Sequence, residues 1–290
     1  MVTGRDLVSL YSLIFGILIA PVYAQSPPAV PVVGVEAQSL APLPVLPISE
    51  DDKSPLPKDS RYISQPEIPR PDVKPVLDIG KDQLAVLELF STQACTFCPK
   101  ADAMMEQLAD RKQLIALSCH IDYFDVAQGS LSLPICSTRQ VAYEASLNGG
   151  PKYTPQMVVN GRYDAIGYLL NRVEDAFARA REAPLTAVKI TRGDMGLFTL
   201  NLPDLEMGDY KIWLLVFDKP RTIEVAEGAN RGRDITYYNV VSNAGFLGNW
   251  DGAHKSLKFD AKMHEMAKGF AVLIHDAKTN HIIAAAKYLK

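Results

Sequence analysis

A pair of cysteines separated by two residues stands where a buried strand pattern gives way to a helix pattern. Residues 84–90 are an apolar run of strand length, and after a four-residue turn come Cys95 and Cys98, followed by Pro99. Residues 101–110 then place apolar side chains at helical spacing. Any fold of this chain must therefore bring two thiols to the first turn of a helix that leaves a buried strand.

Strand and helix patterns continue to alternate after this junction. The predicted elements follow in chain order as a strand at 114–121, a helix at 138–147, strands at 156–159 and 162–165, and a helix at 168–181. Asn160 and Gly161 favour a tight hairpin turn between the last two strands, and Thr154 and Pro155 precede the third strand. This is the order of elements in the thioredoxin fold. We therefore predict an α/β thioredoxin-like fold over residues 81–184.

The second half of the chain has a different pattern. It contains seven short runs of strand length, separated by turn signals and without a long helical pattern. The runs lie at 186–190, 197–200, 210–217, 235–241, 256–259, 269–275 and 281–288. We expect an all-β antiparallel sandwich domain over residues 185–290. The basic, glycine-containing loop 228–233 is expected to be a solvated hairpin rather than a contact with an anionic ligand or with the cysteines.

The first 80 residues are typical of export rather than of a folded domain. Residues 1–24 have the pattern of a signal peptide: a basic residue, a 14-residue apolar stretch and small residues before a cleavage site. That stretch is shorter than the roughly 20 residues that cross a bilayer, so cleavage is favoured over an uncleaved anchor and no stable membrane insertion is expected. Residues 25–78 hold 12 of the 20 prolines, which predicts a disordered linker over 25–80. The expected location is the periplasm of a Gram-negative envelope or the exterior, where disulfides persist.

The cysteine pair has the residues that thiol–disulfide exchange requires. The reaction needs a thiolate that attacks and a second thiol that resolves the mixed disulfide. Free N–H groups at a helix N-terminus favour negative charge, so Cys95 is predicted to be the nucleophile and Cys98 the resolving thiol. The expected activity is that of a thiol–disulfide oxidoreductase whose partners are thiol- or disulfide-containing proteins of the cell envelope, with no cofactor. A net charge of -3 gives no reason to expect nucleic acid as a partner.

Three groups of motifs carry a resemblance to a known family. They are L-F-S-T-Q-A-C with C-P within 89–99, Y-T-P-Q-M-V-V-N-G at 153–161, and G-A-N, G-R and Y-N-V-V between 228 and 241. Spread over roughly residues 82–275, they resemble a family of secreted bacterial thioredoxin-like proteins whose function is formally unknown. The chain departs from that family's pattern at Ala94, Lys100 and Ala229, and it has Cys119 and Cys136 in addition. The resemblance implies the fold and the exported location, but no substrate.

The thioredoxin-like fold also implies a role for the loop before the third strand. In that fold the loop packs beside the cysteine pair and offers its backbone to an extended substrate. Thr154 and Pro155 are therefore expected to bind substrate, with a cis peptide bond between them.

Glu88 is a carboxylate inside an otherwise apolar strand, where burial without a partner is costly. One interpretation makes it a proton relay to Cys98, as an acid in the equivalent strand is in thioredoxins. Its spacing from Cys95 is one residue longer than in thioredoxin, which turns it to the other face of a regular strand. A charge at a strand edge or a salt-bridge partner is therefore favoured over the relay.

Other interpretations of the cysteines remain open at this point. Cys95 and Cys98 together with His120 are a candidate periplasmic copper-binding or copper-delivery site. A third interpretation is a non-catalytic interaction protein that uses the fold as a scaffold. Cys119 and Cys136 are expected to form a structural disulfide that closes a loop of about 18 residues and stabilises the fold by about 3 kcal/mol. The alternative for these two is a pair of buried free thiols.

Overall fold

A computed structural model of the chain describes residues 83–124, 130–147 and 151–290. All of them belong to one compact unit, Pro69–Lys290. The predicted signal peptide and the predicted linker lie outside the described residues. Within the described ranges, no helix combines the length and the apolar character needed to cross a membrane.

The first half of the described chain alternates strands and helices. Its elements are β1 (Ala85–Ser91), α1 (Cys98–Leu108), β2 (Leu114–His120), α2 (Pro134–Ser146), β3 (Gln156–Val159), β4 (Tyr163–Ile166) and α3 (Leu170–Ala180). The strands form one sheet in the order β2-β1-β3-β4, in which β1 and β2 are parallel and the other two pairs are antiparallel. Helix α2 begins four residues earlier than predicted because Pro134 occupies its first turn, where the missing N–H is tolerated.

Strand β1 is buried on both faces, so it reads as a continuous apolar run rather than an alternating one. On one face Leu87 and Leu89 pack in a hydrophobic cluster with Ala101 and Met105 of α1 and with Phe177 of α3. This face positions the first turn of α1 directly above the carboxyl end of β1.

The opposite face of the same sheet packs against the second half of the chain. Val86 and Phe90 share a cluster with Tyr143 of α2 and with Leu215 and Leu273, which lie beyond the predicted domain boundary. That boundary therefore runs through a shared hydrophobic core.

The second half consists of ten strands and no α-helix within the described residues. They are β5 (Thr186–Ala187), β6 (Lys189–Arg192), β7 (Leu197–Leu202), β8 (Tyr210–Asp218), β9 (Arg221–Glu224), β10 (Asp234–Tyr237), β11 (Val241–Trp250), β12 (Lys255–Asp260), β13 (Ala267–Asp276) and β14 (Ile282–Leu289). A five-stranded sheet, β11-β8-β13-β14-β5, and a three-stranded sheet, β12-β7-β6, contribute to one hydrophobic cluster, and β9 and β10 form a separate hairpin. All pairs are antiparallel except β14 with β5. The predicted mixed α/β architecture, with several sheets and few helices, is confirmed.

Asn239 closes the exposed edge of β2. Its side-chain amide donates to the carbonyl oxygens of Ala109 and Ala116 at 3.0 and 2.9 Å, and its own carbonyl oxygen accepts from the N–H of Ser118 at 3.0 Å. Its φ of 48° lies in the left-handed region, which asparagine tolerates better than most residues. The second half thereby protects the edge of the first sheet from pairing with another chain.

Candidate active site

The cysteine pair lies in the loop that joins β1 to α1. Cys98 is the first residue of α1 and is fully buried, whereas Cys95 is partly exposed, and both are free thiols. Pro99 follows at the first helical turn, and the N–H of Cys98 donates to the carbonyl oxygen of Cys95 at 3.3 Å. This geometry presents one sulfur to solvent at a helix N-terminus and keeps the other inside.

The two thiols have very different acidities. The pKa of Cys95 is lowered to about 6, chiefly because the Cys98 thiol donates a hydrogen bond to it, with further help from Thr154 and from backbone amides of the first helical turn. Partial burial opposes this shift. The same hydrogen bond, together with burial, raises the pKa of Cys98 far above its ordinary value. At neutral pH Cys95 is therefore a thiolate and Cys98 a thiol.

The loop before β3 packs against the exposed sulfur. The Sγ of Cys95 lies 3.6 Å from the carbonyl oxygen of Thr154, and the bond between Thr154 and Pro155 is cis. The N–H of Gly167 donates to the carbonyl oxygen of Pro155 at 2.9 Å, and a Cβ at Gly167 would stand 3.1 Å from the Cβ of Ala101. A side chain at Gly167 would therefore crowd the contact between this loop and α1.

A buried acid that the sequence analysis did not identify lies near Cys98. Asp102 lies one helical turn after Cys98, on the same face of α1. Its Oδ2 accepts a hydrogen bond from the Ser91 hydroxyl at 3.1 Å, and its Oδ1 has no partner among the described residues. Burial raises the pKa of Asp102 to about 8, against the lowering effect of Ser91 and with a further rise from the Cys95 charge. The available signal was the four-residue spacing of an acid from Cys98 in the C-P-K-A-D string.

Glu88, the candidate proton relay, is on the opposite face of β1 from Ser91 and does not reach the cysteine pair. It is fully buried, and the Arg139 guanidinium donates two hydrogen bonds to its carboxylate at 2.8 and 2.9 Å. The Tyr143 hydroxyl donates to the same carboxylate. The relay interpretation of Glu88 is therefore corrected: this residue anchors α2 to β1, and Asp102 is the acid beside Cys98.

His120 is the last residue of β2 and is fully buried, but it does not lie in a metal site among the described residues. Its ring packs edge-on against Tyr237 at a centroid distance of 5.0 Å, and neither ring nitrogen has a hydrogen-bond partner in the described chain. Burial, helped by the nearby charge of Arg221, lowers the pKa of His120 to about 3, so the ring is neutral. Among the described residues no three His, Cys, Asp or Glu side chains form a group that could hold a metal ion, so His120 does not join Cys95 and Cys98.

The other two cysteines are joined to each other. The sulfurs of Cys119 and Cys136 are 2.06 Å apart, and the bond ties β2 to α2. Both side chains are fully buried. A thiolate of another protein cannot reach them, so this disulfide is separate from the exposed chemistry of Cys95.

The loop 228–233 holds the backbone around Cys95. The expectation that this loop is a solvated hairpin is therefore wrong. Asn230 is 1% exposed, and its side-chain amide donates to the carbonyl oxygens of Gln93 and Cys95 at 2.9 and 2.8 Å. The Arg233 guanidinium donates to the side-chain Oδ1 of Asn230 at 2.9 Å and so fixes the orientation of the amide. A Cβ at Gly228 would stand 2.9 Å from the Cα of Ala94, so the two loops touch backbone to backbone. The second half of the chain thus positions Cys95.

The comparisons with known proteins match the part of the chain that the structure describes. A family model described as Protein of unknown function (DUF1223) matches residues 86–275. The crystal structure of protein AGR_C_4864 from Agrobacterium tumefaciens is similar, with 23% identity, a TM-score of 0.61, and coverage of 72% of this chain and 96% of that chain. HBP35 of Porphyromonas gingivalis has 17% identity and a TM-score of 0.50, with 71% of this chain and 75% of that chain covered. At these identities the likeness concerns the fold alone. None of the curated proteins compared with the chain matches it.

Proposed function

The chain belongs to the family described as Protein of unknown function (DUF1223), and we propose that it is an exported thiol–disulfide oxidoreductase that acts on protein cysteines through Cys95 and Cys98. One observation carries the proposal. A partly exposed sulfur with a pKa of about 6 stands at a helix N-terminus, hydrogen-bonded by a buried second thiol that can attack it in turn. Neither a structural cysteine pair nor a scaffold needs this difference in acidity.

The fold supports the same proposal. A sheet in the order β2-β1-β3-β4 with one parallel and two antiparallel pairs, covered by helices on both faces, is the arrangement expected of a thioredoxin-like domain. The loop with Thr154 and Pro155 lies against Cys95, as that domain requires for substrate binding. The two sheets of the second half share a core, in keeping with a β-sandwich.

The geometry defines a complete exchange reaction. The Cys95 thiolate attacks one sulfur of a partner's disulfide; a Cys95–partner bond forms, and the other partner sulfur leaves as a thiolate. The Cys98 thiol then passes its proton to the Asp102 carboxylate and attacks the Cys95 sulfur. The Cys95–Cys98 disulfide forms, the second partner sulfur leaves, and the partner has gained two electrons. The reverse sequence oxidises a partner dithiol.

Export to the periplasm or the exterior is part of the proposal. The predicted signal peptide supports it, and so does the buried disulfide between Cys119 and Cys136, since such bonds persist in oxidising compartments. The partners are thiol- or disulfide-containing proteins of the envelope. No cofactor takes part in the exchange.

Trapping of a partner tests the function directly. The Cys98→Ser variant is expected to accumulate a mixed disulfide when it is incubated with a partner protein that contains an oxidised disulfide, because the second step is blocked. The Cys95→Ser variant is the matched control and is expected to form none, since Cys98 is buried and protonated. Mass spectrometry under non-reducing conditions measures both. Equal adducts on the two variants would refute the assignment of Cys95.

The reactivity of Cys95 is expected to titrate well below that of an ordinary thiol, whose pKa is about 8.5. The alkylation rate with iodoacetamide should rise as the pH increases through about 6 and level off near neutrality, since only the thiolate reacts. Replacing Cys98 with alanine removes the main hydrogen bond to Cys95 and should move the midpoint to higher pH. The unfolded protein provides the reference. An unchanged midpoint in the Cys98→Ala variant would contradict the stated cause.

A further inference from the structure

Exposed apolar side chains gather around the cysteine pair. Phe97 stands between the two cysteines and is 50% exposed. Tyr123, Phe124 and Ile166 are also exposed large apolar side chains. Tyr123 interacts electrostatically with both cysteines, and Ile166 directly precedes Gly167, which is bonded to Pro155. Exposed apolar groups scattered singly are ordinary, but a cluster at a reactive sulfur marks an interaction site.

One side of this cluster is a flat aromatic surface. The rings of Phe97 and Tyr168 stack with centroids 5.3 Å apart and an angle of 22° between their planes. The Nζ of Lys100 lies 5.9 Å from the centroid of Tyr168. Tyr168 follows Gly167, whose N–H is bonded to the carbonyl oxygen of Pro155. The stacked rings therefore continue the surface made by Cys95 and the Thr154 loop.

The other side of the cluster is held by α2. Tyr123 packs edge-on against Phe124 at a centroid distance of 4.6 Å. The Tyr123 hydroxyl donates to the side-chain oxygen of Gln140 at 2.8 Å, and the Gln140 amide donates to the carbonyl oxygen of Tyr153 at 2.9 Å. Tyr153 directly precedes the residue that contacts Cys95, so the two aromatic sides flank the nucleophile.

This surface carries charges of both signs: the Asp164 carboxylate accepts hydrogen bonds from the Tyr153 hydroxyl and the Gln156 amide, whereas Lys100 lies beside the ring of Tyr168. Within the part of the chain that the structure describes, neither Lys100 nor Arg233 forms an ion pair, although Arg233 lies next to the loop of the nucleophile through Asn230. Lys152 lies above the ring of Tyr123 but has Glu144 at 4.0 Å, so that pair is close to neutral. An incoming segment therefore meets apolar rings and, beside Tyr168, Lys100, a cation without an ion-pair partner among the described residues.

We propose that this surface binds an extended segment of a partner protein in which an apolar or aromatic side chain and a carboxylate lie beside the reacting cysteine. The inference rests on the proposed function and names the partner's chemistry. The rings of Phe97 and Tyr168 receive the apolar side chain, and Lys100 receives the carboxylate. Charge complementarity raises the rate of encounter more than the strength of the final contact, so the preference is kinetic and depends on salt.

Short peptides that carry a 2-pyridyl disulfide on one cysteine test the proposal with the mature chain. Attack by Cys95 on the peptide sulfur forms the mixed disulfide and releases 2-thiopyridone, which is followed by its absorbance. Four peptides combine phenylalanine or serine with aspartate or lysine beside the cysteine. The phenylalanine–aspartate peptide is expected to react about tenfold faster than the serine–lysine peptide at low salt, and the advantage of aspartate should shrink in high salt.

Variants assign each part of the preference. Phe97→Ala should remove most of the advantage of phenylalanine, and Lys100→Glu should invert the ratio between aspartate and lysine peptides. Ratios within one variant cancel any change in the acidity of Cys95. Lys258→Glu changes the net charge equally on exposed β12 and should leave all ratios as in the wild type. Equal rates for all four peptides would overturn this proposal while the redox function stands; no reaction with any of them would refute the function itself.

Discussion

Replacing Arg139 with methionine is expected to lower the free energy of unfolding by about 3–5 kcal/mol, because it leaves the Glu88 carboxylate buried without its charged partner. The two side chains are 7% and 1% exposed, and two hydrogen bonds join the guanidinium to both carboxylate oxygens. The Arg139 guanidinium also lies 3.3 Å from the Tyr143 hydroxyl and from the Nε2 of His275. No other single charge in this cluster can replace it.

His275 completes this cluster as a neutral acceptor. Burial and the charge of Arg139 lower the pKa of His275 to about 3, so the ring carries no charge at neutral pH. Its Nδ1 lies 2.9 Å from the carbonyl oxygen of Asn280, which can only accept, so Nδ1 carries the proton and Nε2 accepts from Arg139. The cluster thus connects β1, α2 and β13 across both halves of the chain.

Urea denaturation with the disulfide intact measures the loss. A double variant, Glu88→Leu with Arg139→Met, should recover most of the stability, since it removes both buried charges together. Asp175→Asn is the control for an exposed ion pair: Asp175 and Arg179 have side chains 62% and 56% exposed, and the loss of their pair should cost less than about 1 kcal/mol. A loss of this small size at Arg139 would mean that Glu88 is not held by charge.

The cluster is also connected to the candidate active site, because α2 contacts the loop that packs against Cys95. The helix that carries Arg139 also carries Gln140, whose amide is bonded to the carbonyl oxygen of Tyr153 and to the side chain of Gln156. These two residues bracket Thr154 and Pro155. The buried ion pair therefore anchors the helix that positions the loop with Thr154 and Pro155.

Local patterns predicted the elements, and strand alternation already argued against a proton relay at Glu88, but it left open whether the residue lies at a strand edge or in a salt bridge. A strand or helix is specified by the periodicity of neighbouring residues, so the sequence of elements from β1 to α3 could be predicted to within a few residues. The contact between Asn230 and Cys95 joins positions 135 residues apart, and no local pattern encodes it. The burial of Asp102 was not predicted because an acid near the start of a helix is ordinarily solvated, and only the packing of α1 on β1 buries it.

Replacing Asp102 with asparagine is expected to have two opposite effects. The second step of exchange should slow by about a hundredfold, since the amide cannot take the proton of Cys98. The folded protein should at the same time become more stable at pH 8 by about 1–3 kcal/mol, because a buried group with a pKa of about 8 binds a proton that the unfolded chain has released. Between about pH 4 and 8 the folded state holds more protons, so wild-type stability falls as pH rises, and the variant lacks this fall.

Two measurements separate these effects. Release of a small thiol from a preformed mixed disulfide on Cys95 should accelerate with pH through a midpoint at or below about 8, since Cys95 carries no charge in that state and no longer raises the pKa of Asp102. The Ser91→Ala variant removes the hydrogen bond that lowers this pKa, so its midpoint should move upward. Asp102→Asn should remove this midpoint and leave only the rise at higher pH that follows ionisation of Cys98 itself. Urea denaturation at pH 5 and pH 8 gives the stabilities. If the Asp102→Asn variant releases the small thiol at the wild-type rate but is more stable, then Asp102 destabilises the folded protein and takes no part in proton transfer.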